Sequence, residues 1–190
     1  MGAKMTPLEL PEVKIVQPDY FEDYRGYYCE TYSVRTMREL GFDTVFVQDN
    51  HFLSLKSGTI RGVHFQNAPK AQAKLVRCTK GALRVFAVDL RSDSPTFKRW
   101  TTVELTADNR LQVFIPKGFG HGCISLVENT EGQYKVDELY TPELDRAISY
   151  RDPELAIPWG FDEVIVSPKD EKAPFLSQSD VNFTMENCRG

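Results

Sequence analysis

The feature that most constrains this chain is a succession of short β-type runs, broken by turn residues at roughly 8–12-residue spacing. Residues 74–79 and 82–89 flank Lys80-Gly81, which reads as a hairpin. In residues 101–106, Val103 and Leu105 alternate with Thr102 and Glu104, so one face is apolar. Ala107-Asp108-Asn109 is a turn, after which Leu111, Val113 and Ile115 share a face. Pro116-Lys117-Gly118 stops that run, and residues 123–127 begin another. Residues 45–48 and 51–55 are two further short strands. One helix is legible: Ser33 can cap it, Met37 and Leu40 lie about one turn apart, and Gly41 can close it in a left-handed conformation. The pattern predicts a mainly β fold, an antiparallel sandwich or barrel with a few short helices.

The final third is less regular. Asp152-Pro153, Ile157-Pro158 and Ser167-Pro168 punctuate it, which predicts short helices and loops packed on the barrel. Repeats, linkers and low-complexity stretches are absent from the 190 residues, so one domain over 1–190 is expected.

Composition narrows the partners. The net charge of −4 argues against a nucleic-acid coat, because duplex affinity comes mostly from neutralising phosphates. It leaves room for an anionic ligand held by a few placed cations. An apolar fraction of 41% is enough to close a core. No apolar run approaches the roughly 20 residues of a membrane span, and the first ten residues lack the apolar stretch of a signal peptide. Cys29, Cys78, Cys123 and Cys188 are widely spaced, without a CxxC pair. They read as free thiols of a cytoplasmic protein.

The chemistry is expected near the histidines, of which there are three: His51, His64 and His121. Around His64, strand alternation would put Ile60, Gly62, His64 and Gln66 on one face and Arg61, Val63 and Phe65 on the other, unless a bulge at Gly62 re-aims one of them. His121 stands between Gly120 and Gly122 at the start of a strand, where close approach of backbone or ligand is possible. Each histidine, taken singly, also fits a core or turn position. A metal site is disfavoured: there is no His-x-His, and no carboxylate follows His64 at a short even spacing.

Nine segments in order then become recognisable. They are Asp23-Tyr-Arg-Gly-Tyr-Tyr-Cys-Glu30, Val47-Gln-Asp-Asn50, Ile60-Arg-Gly-Val-His-Phe-Gln66, Gln72-Ala-Lys-Leu-Val76 and Val88-Asp-Leu-Arg91. They continue with Ser94-Pro-Thr-Phe97, Ile115-Pro-Lys-Gly-Phe-Gly-His-Gly122, Tyr134-Lys-Val-Asp-Glu-Leu-Tyr140 and Ser167-Pro-Lys-Asp170. Together they resemble the dTDP-4-dehydrorhamnose 3,5-epimerase family. The resemblance implies a cupin-like antiparallel jelly-roll barrel, its core at about 45–140, with an N-terminal arm and a C-terminal helical and loop region packed on it. It also implies a homodimer without metal or cofactor, acting on a nucleotide-diphosphate 4-keto-6-deoxysugar. In this family pattern His64 matches the general base, Asp170 the carboxylate that orients it, Tyr134 the acid on the opposite face, and Lys74 the group that stabilises the enolate. Arg25, Glu30, Gln48, Asn50, Arg61, His121, Tyr140, Asp145 and Lys169 fall on substrate-binding positions. Arg25 and Glu30 are expected to cross to the partner's site.

The reaction asks for these residue types. Inverting a carbon next to a ketone needs a base of near-neutral pKa, and a carboxylate fixes the tautomer of the imidazole that supplies it. The charge that moves to the ketone oxygen needs a cation. Return of the proton from the other face needs a second group, because a single base would restore the original configuration. Arginine forks suit a diphosphate. The chain departs from the family at Gly120, where Ala is usual, and at Cys123, where Phe is usual. It departs also at His51-Phe52, where small residues are frequent, and at Ile157-Pro158-Trp159-Gly160. These departures leave alternatives: inversion of C3 or C5 alone, another nucleotide 4-keto sugar, or a sugar-binding or metal-dependent cupin.

Overall fold

The computed structural model of the protein describes residues 2–189; Met1 and Gly190, the two ends of the expected 1–190 unit, lie outside the described residues. The chain begins with strands β1 (Ala3–Pro7), β2 (Lys14–Pro18), β3 (Tyr20–Asp23) and β4 (Gly26–Cys29), followed by helix α1 (Val34–Glu39). Strands β5 (Gln48–Ser54), β6 (Ile60–Gln66), β7 (Lys74–Lys80), β8 (Ala82–Asp89) and β9 (Trp100–Thr106) follow. Then come β10 (Gln112–Ile115), β11 (Phe119–Ser125), β12 (Thr130–Val136), β13 (Asp145–Ala147) and helix α2 (Pro168–Glu171).

One sheet runs β1-β2-β10-β7-β12-β5 and the other β13-β6-β11-β8-β9, while β3 and β4 form a separate hairpin. The two sheets face each other as the expected antiparallel cupin-like barrel. Strands β1, β2 and β13, which lie outside 45–140, complete these sheets.

Three apolar clusters hold the layers. Val76, Val85, Leu105, Val113 and Phe119 come from both sheets and fill the space between them. Behind the second sheet, Val63, Phe86, Val88 and Ile124 meet Ile148, Ile157, Trp159 and Phe183 of the C-terminal region. That sheet is therefore covered on both faces, which is why residues 83–90 read as nearly continuous apolar sequence. Outside the first sheet, Val16, Leu75 and Phe114 pack on Met37 of α1 and on Phe42. Ser33 caps α1 by accepting from Thr36 N–H, and Gly41 closes it at φ +86, both as the sequence predicts.

Some expectations need correction. Lys80-Gly81 is not a hairpin, because β7 and β8 lie in different sheets. Both edges of β7 are taken by β10 and β12, so Gly81 turns the chain from one sheet to the other. Residues 45–47 lie outside any strand, and Gln48–Ser54 is one continuous strand. Its limits are those of the β12 ladder, which runs from Thr130↔Ser54 to Val136↔Gln48. Strand β11 begins at Phe119, so His121 and the glycines on either side of it lie within the strand and not at its start. Those glycines make room: a Cβ on Gly120 would meet Val63 Cγ1 at 2.6 Å, and one on Gly122 would meet the Trp159 ring at 2.9 Å.

Candidate active site

A cavity of about 740 Å³ opens between the two sheets. Strand β6 supplies Arg61 and His64, and β11 supplies His121 and Cys123. The opposite wall carries Asn50 from β5, Lys74 from β7 and Tyr134 from β12. Tyr140, Asp145, Lys169 and Asp170 close the rim.

Strict alternation on β6 fails here. Arg61 and His64 both line the cavity, although they are three residues apart. The ladder explains it: His121 pairs with His64 and Cys123 with Arg61, so three steps on β6 match two on β11. The extra residue falls at Gly62–Val63, the bulge that the sequence left open. Gly62 has φ +117, and a Cβ there would lie 2.5 Å from His121 O. Only glycine fits without displacing β11.

His64 is joined to Asp170: Nε2 lies 2.5 Å from Oδ1. Asp170 is buried in α2, where its N–H donates to Ser167 Oγ at 3.1 Å. Burial works against its charge, but hydrogen bonding and charge from His64, with support from Ser167, hold its carboxyl below the usual range. An ionised Asp170 draws the ring proton of His64 to Nε2. Nδ1 then keeps its lone pair and can take a proton.

Lys74 is buried, and among the described residues its ammonium forms no ion pair. Burial brings its pKa down to about 8, against an opposing pull from Asp145. His121 is buried beside it. Burial, together with the charges of Lys74 and His64, pushes its pKa well below the ordinary value, so it stays neutral. Its Nε2 has no hydrogen-bond partner among the described residues. Tyr134 stands on the strand next to that of Lys74 and faces His121 across the cavity, with the two ring centroids 6.3 Å apart. Burial raises the Tyr134 pKa, and the phenol remains protonated at neutral pH.

At the rim, Asp145 accepts from Lys169 Nζ at 2.5 Å and from the Tyr140 hydroxyl at 3.1 Å. Gln48 stands behind the wall, donating to Asn50 Oδ1 and accepting from Tyr140 N–H. Arg61 is tethered through Nη2 to Leu53 O and through Nε to Ser54 Oγ. Arg25 and Glu30 are not brought into the cavity. Arg25 is exposed at the tip of the β3–β4 hairpin and pairs with Asp23, while Glu30 accepts from Thr36 Oγ1.

The sequence reading gave no role to Gln66 and Gln72. Gln66 accepts from Thr141 N–H and donates to Lys70 O and Leu139 O, which fixes the loop carrying Tyr140. Gln72 donates to Glu138 O. The signal for Gln66 was its place two residues from His64, on the same face. Ile165 and Val166 also line the cavity, through a bridge from Thr59 to Ile165 that local sequence does not announce. Among the described residues, no three His, Cys, Asp or Glu side chains are grouped to hold a metal ion. None of the described helices is long and apolar enough to cross a membrane.

A family model described as dTDP-4-dehydrorhamnose 3,5-epimerase matches residues 7–178. A protein of that name from Escherichia coli is 45% identical over 166 residues, covering 86% of this chain and 89% of the relative. The crystal structure of a Bacillus anthracis dTDP-4-dehydrorhamnose 3,5-epimerase with TDP and PPi bound superposes with a TM-score of 0.88. It is 44% identical, covering 91% of this chain and 99% of that one. The dTDP-6-deoxy-D-glucose-3,5-epimerase from Legionella pneumophila, in complex with dTDP-4-keto-L-rhamnose, gives a TM-score of 0.89. It is 38% identical, with coverages of 94% and 95%.

Proposed function

The chain belongs to the dTDP-4-dehydrorhamnose 3,5-epimerase family, and from that premise we propose how its cavity works. The protein is an isomerase. It inverts C3 and C5 of dTDP-4-keto-6-deoxy-D-glucose, giving dTDP-4-keto-L-rhamnose. Both carbons flank the ketone, so one chemistry serves twice.

The observation that carries the reading is that His64 and Tyr134 face each other from different sheets, with Lys74 buried between the walls. A sugar ring lying between the sheets meets a base on one face and an acid on the other. Nδ1 of His64 takes the proton from the carbon, and the C–H electron pair moves onto the ketone oxygen. The Lys74 ammonium, undiluted by any ion pair among the described residues, offsets the charge of that enolate. As the electron pair returns from the oxygen to the carbon, Tyr134 gives a proton to the opposite face; His64 then releases its proton to solvent, and Tyr134 recovers one.

Arg61 holds the diphosphate, and Asn50, His121, Tyr140, Asp145 and Lys169 position the nucleotide sugar, with Gln48 behind them. The exposed hairpin with Arg25 reaches a second copy of the chain and completes its site, together with Glu30. This favours a homodimer, and it gives a use to Tyr24, Tyr27 and Tyr28, which are largely exposed. The four free thiols favour the cytoplasm as the place of action.

Incubation with the keto sugar in deuterated water tests the reading. Deuterium at both C3 and C5 of a product with the rhamnose configuration is expected. Exchange at one carbon alone would make it a mono-epimerase, and exchange at neither would sink the assignment.

A further inference from the structure

We infer that Phe52 is a positioning residue for the substrate's diphosphate, acting through Arg61; this rests on the reading that Arg61 holds that group. Phe52 lies on β5 directly opposite Gly132 of β12. A Cβ on Gly132 would fall 2.4 Å from Phe52 Cζ and 2.7 Å from Cε1, so the tip of the ring occupies the space that a side chain at Gly132 would need. The Arg61 guanidinium lies over this ring, its Cζ 4.8 Å from the ring centroid. A cation at that distance is attracted by the ring's quadrupole, and a planar guanidinium also stacks.

The other contacts of Arg61 complete a three-point hold. Nη2 donates to Leu53 O at 2.8 Å and Nε to Ser54 Oγ at 3.3 Å. Both acceptors come from the two residues that follow Phe52. Nη1 makes no hydrogen bond among the described residues, and both Arg61 and Phe52 line the cavity. The guanidinium is therefore fixed in plane by a ring below and two acceptors along one edge, with its remaining donors directed to a ligand. A long side chain held in this way loses less freedom when it binds an anion.

The test measures dTDP affinity by calorimetry and the kinetics of the keto sugar for wild type, Phe52→Leu, Phe52→Tyr, Gly132→Ala and Arg61→Gln. Phe52→Leu should weaken dTDP about three- to ten-fold and raise KM by a similar factor, with a smaller fall in kcat. Phe52→Tyr keeps the aromatic face and should restore most of the affinity. Gly132→Ala drives the ring from its seat and should behave like Phe52→Leu. Equal affinities for the Leu and Tyr variants would overturn the inference, because the ring's face would then be irrelevant. Wild-type affinity in Arg61→Gln would overturn instead the assignment of Arg61 on which it rests.

Discussion

His64 Nε2 and Asp170 Oδ1 lie 2.5 Å apart across 106 positions of the chain. Strand β6 brings one and the first turn of α2 the other, and the contact leaves Nδ1 of the imidazole as the free basic atom. Replacing His64 with Ala should abolish deuterium exchange at both carbons, a loss of about 10²–10⁴-fold or more. Asp170→Asn keeps the shape but loses the charge that fixes the tautomer, so its loss should be smaller. NMR of the product made in deuterated water measures both. Exchange at the wild-type rate in His64→Ala would remove the assigned base.

Tyr134 stands on the sheet opposite His64. Tyr134→Phe should allow proton abstraction while impairing inversion. The expected product is starting sugar labelled with deuterium in its original configuration. Normal inversion by this variant would refute the role of the phenol.

Lys74 sets the alkaline limit. Its pKa is about 8, against 10.5 for an unburied lysine, so the rate should fall as pH rises through about 8. The same shift gives a stability prediction. The folded protein carries fewer protons here than the unfolded chain between about 8 and 10.5. The penalty of burying the ammonium is therefore fully present below 8, and it fades as pH rises toward 10.5. Lys74→Met should lose catalysis yet unfold at higher denaturant at pH 7, by up to about 3 kcal/mol. Destabilisation of Lys74→Met at that pH would contradict the argument.

Gly62 lets β6 and β11 approach at the bulge between Arg61 and His64. Gly62→Ala should cost about 1–3 kcal/mol of stability, because its φ of +117 strains any side chain and the methyl group meets His121 O. Activity should fall further than stability, since both His64 and His121 shift. Urea unfolding and kcat/KM on the same samples separate the two effects.

The arm can be tested by mixing inactive variants. If Arg25 serves the partner's site, Arg25→Ala and His64→Ala chains unfolded and refolded together should regain roughly a quarter of the wild-type sites. No recovery on mixing, with heterodimers present, would return Arg25 to its own chain.

The short strands were legible because alternation and turn residues are local signals, and α1 was legible from Ser33 and Gly41. Partnership between strands was not. Lys80-Gly81 has hairpin chemistry, yet it joins two sheets, because β10 and β12 already occupy the edges of β7. Gly120 and Gly122 signalled a close approach, but not that Val63 and Trp159 are what approaches. Such contacts come from residues far away in sequence.

By itself, then, the sequence determined the mainly β class, the helix ends and the inventory of groups able to move a proton beside a ketone, because these depend on residue type and local spacing. Only the tertiary structure decided which of them meet. It put Arg61 and His64 into one cavity through an extra residue at Gly62, buried Lys74 without an ion pair among the described residues, and set Tyr134 against His121 from the facing sheet. The physical reason is that acidity and access depend on burial and on neighbouring charge. Those are properties of the packed sheets, and no short segment carries them.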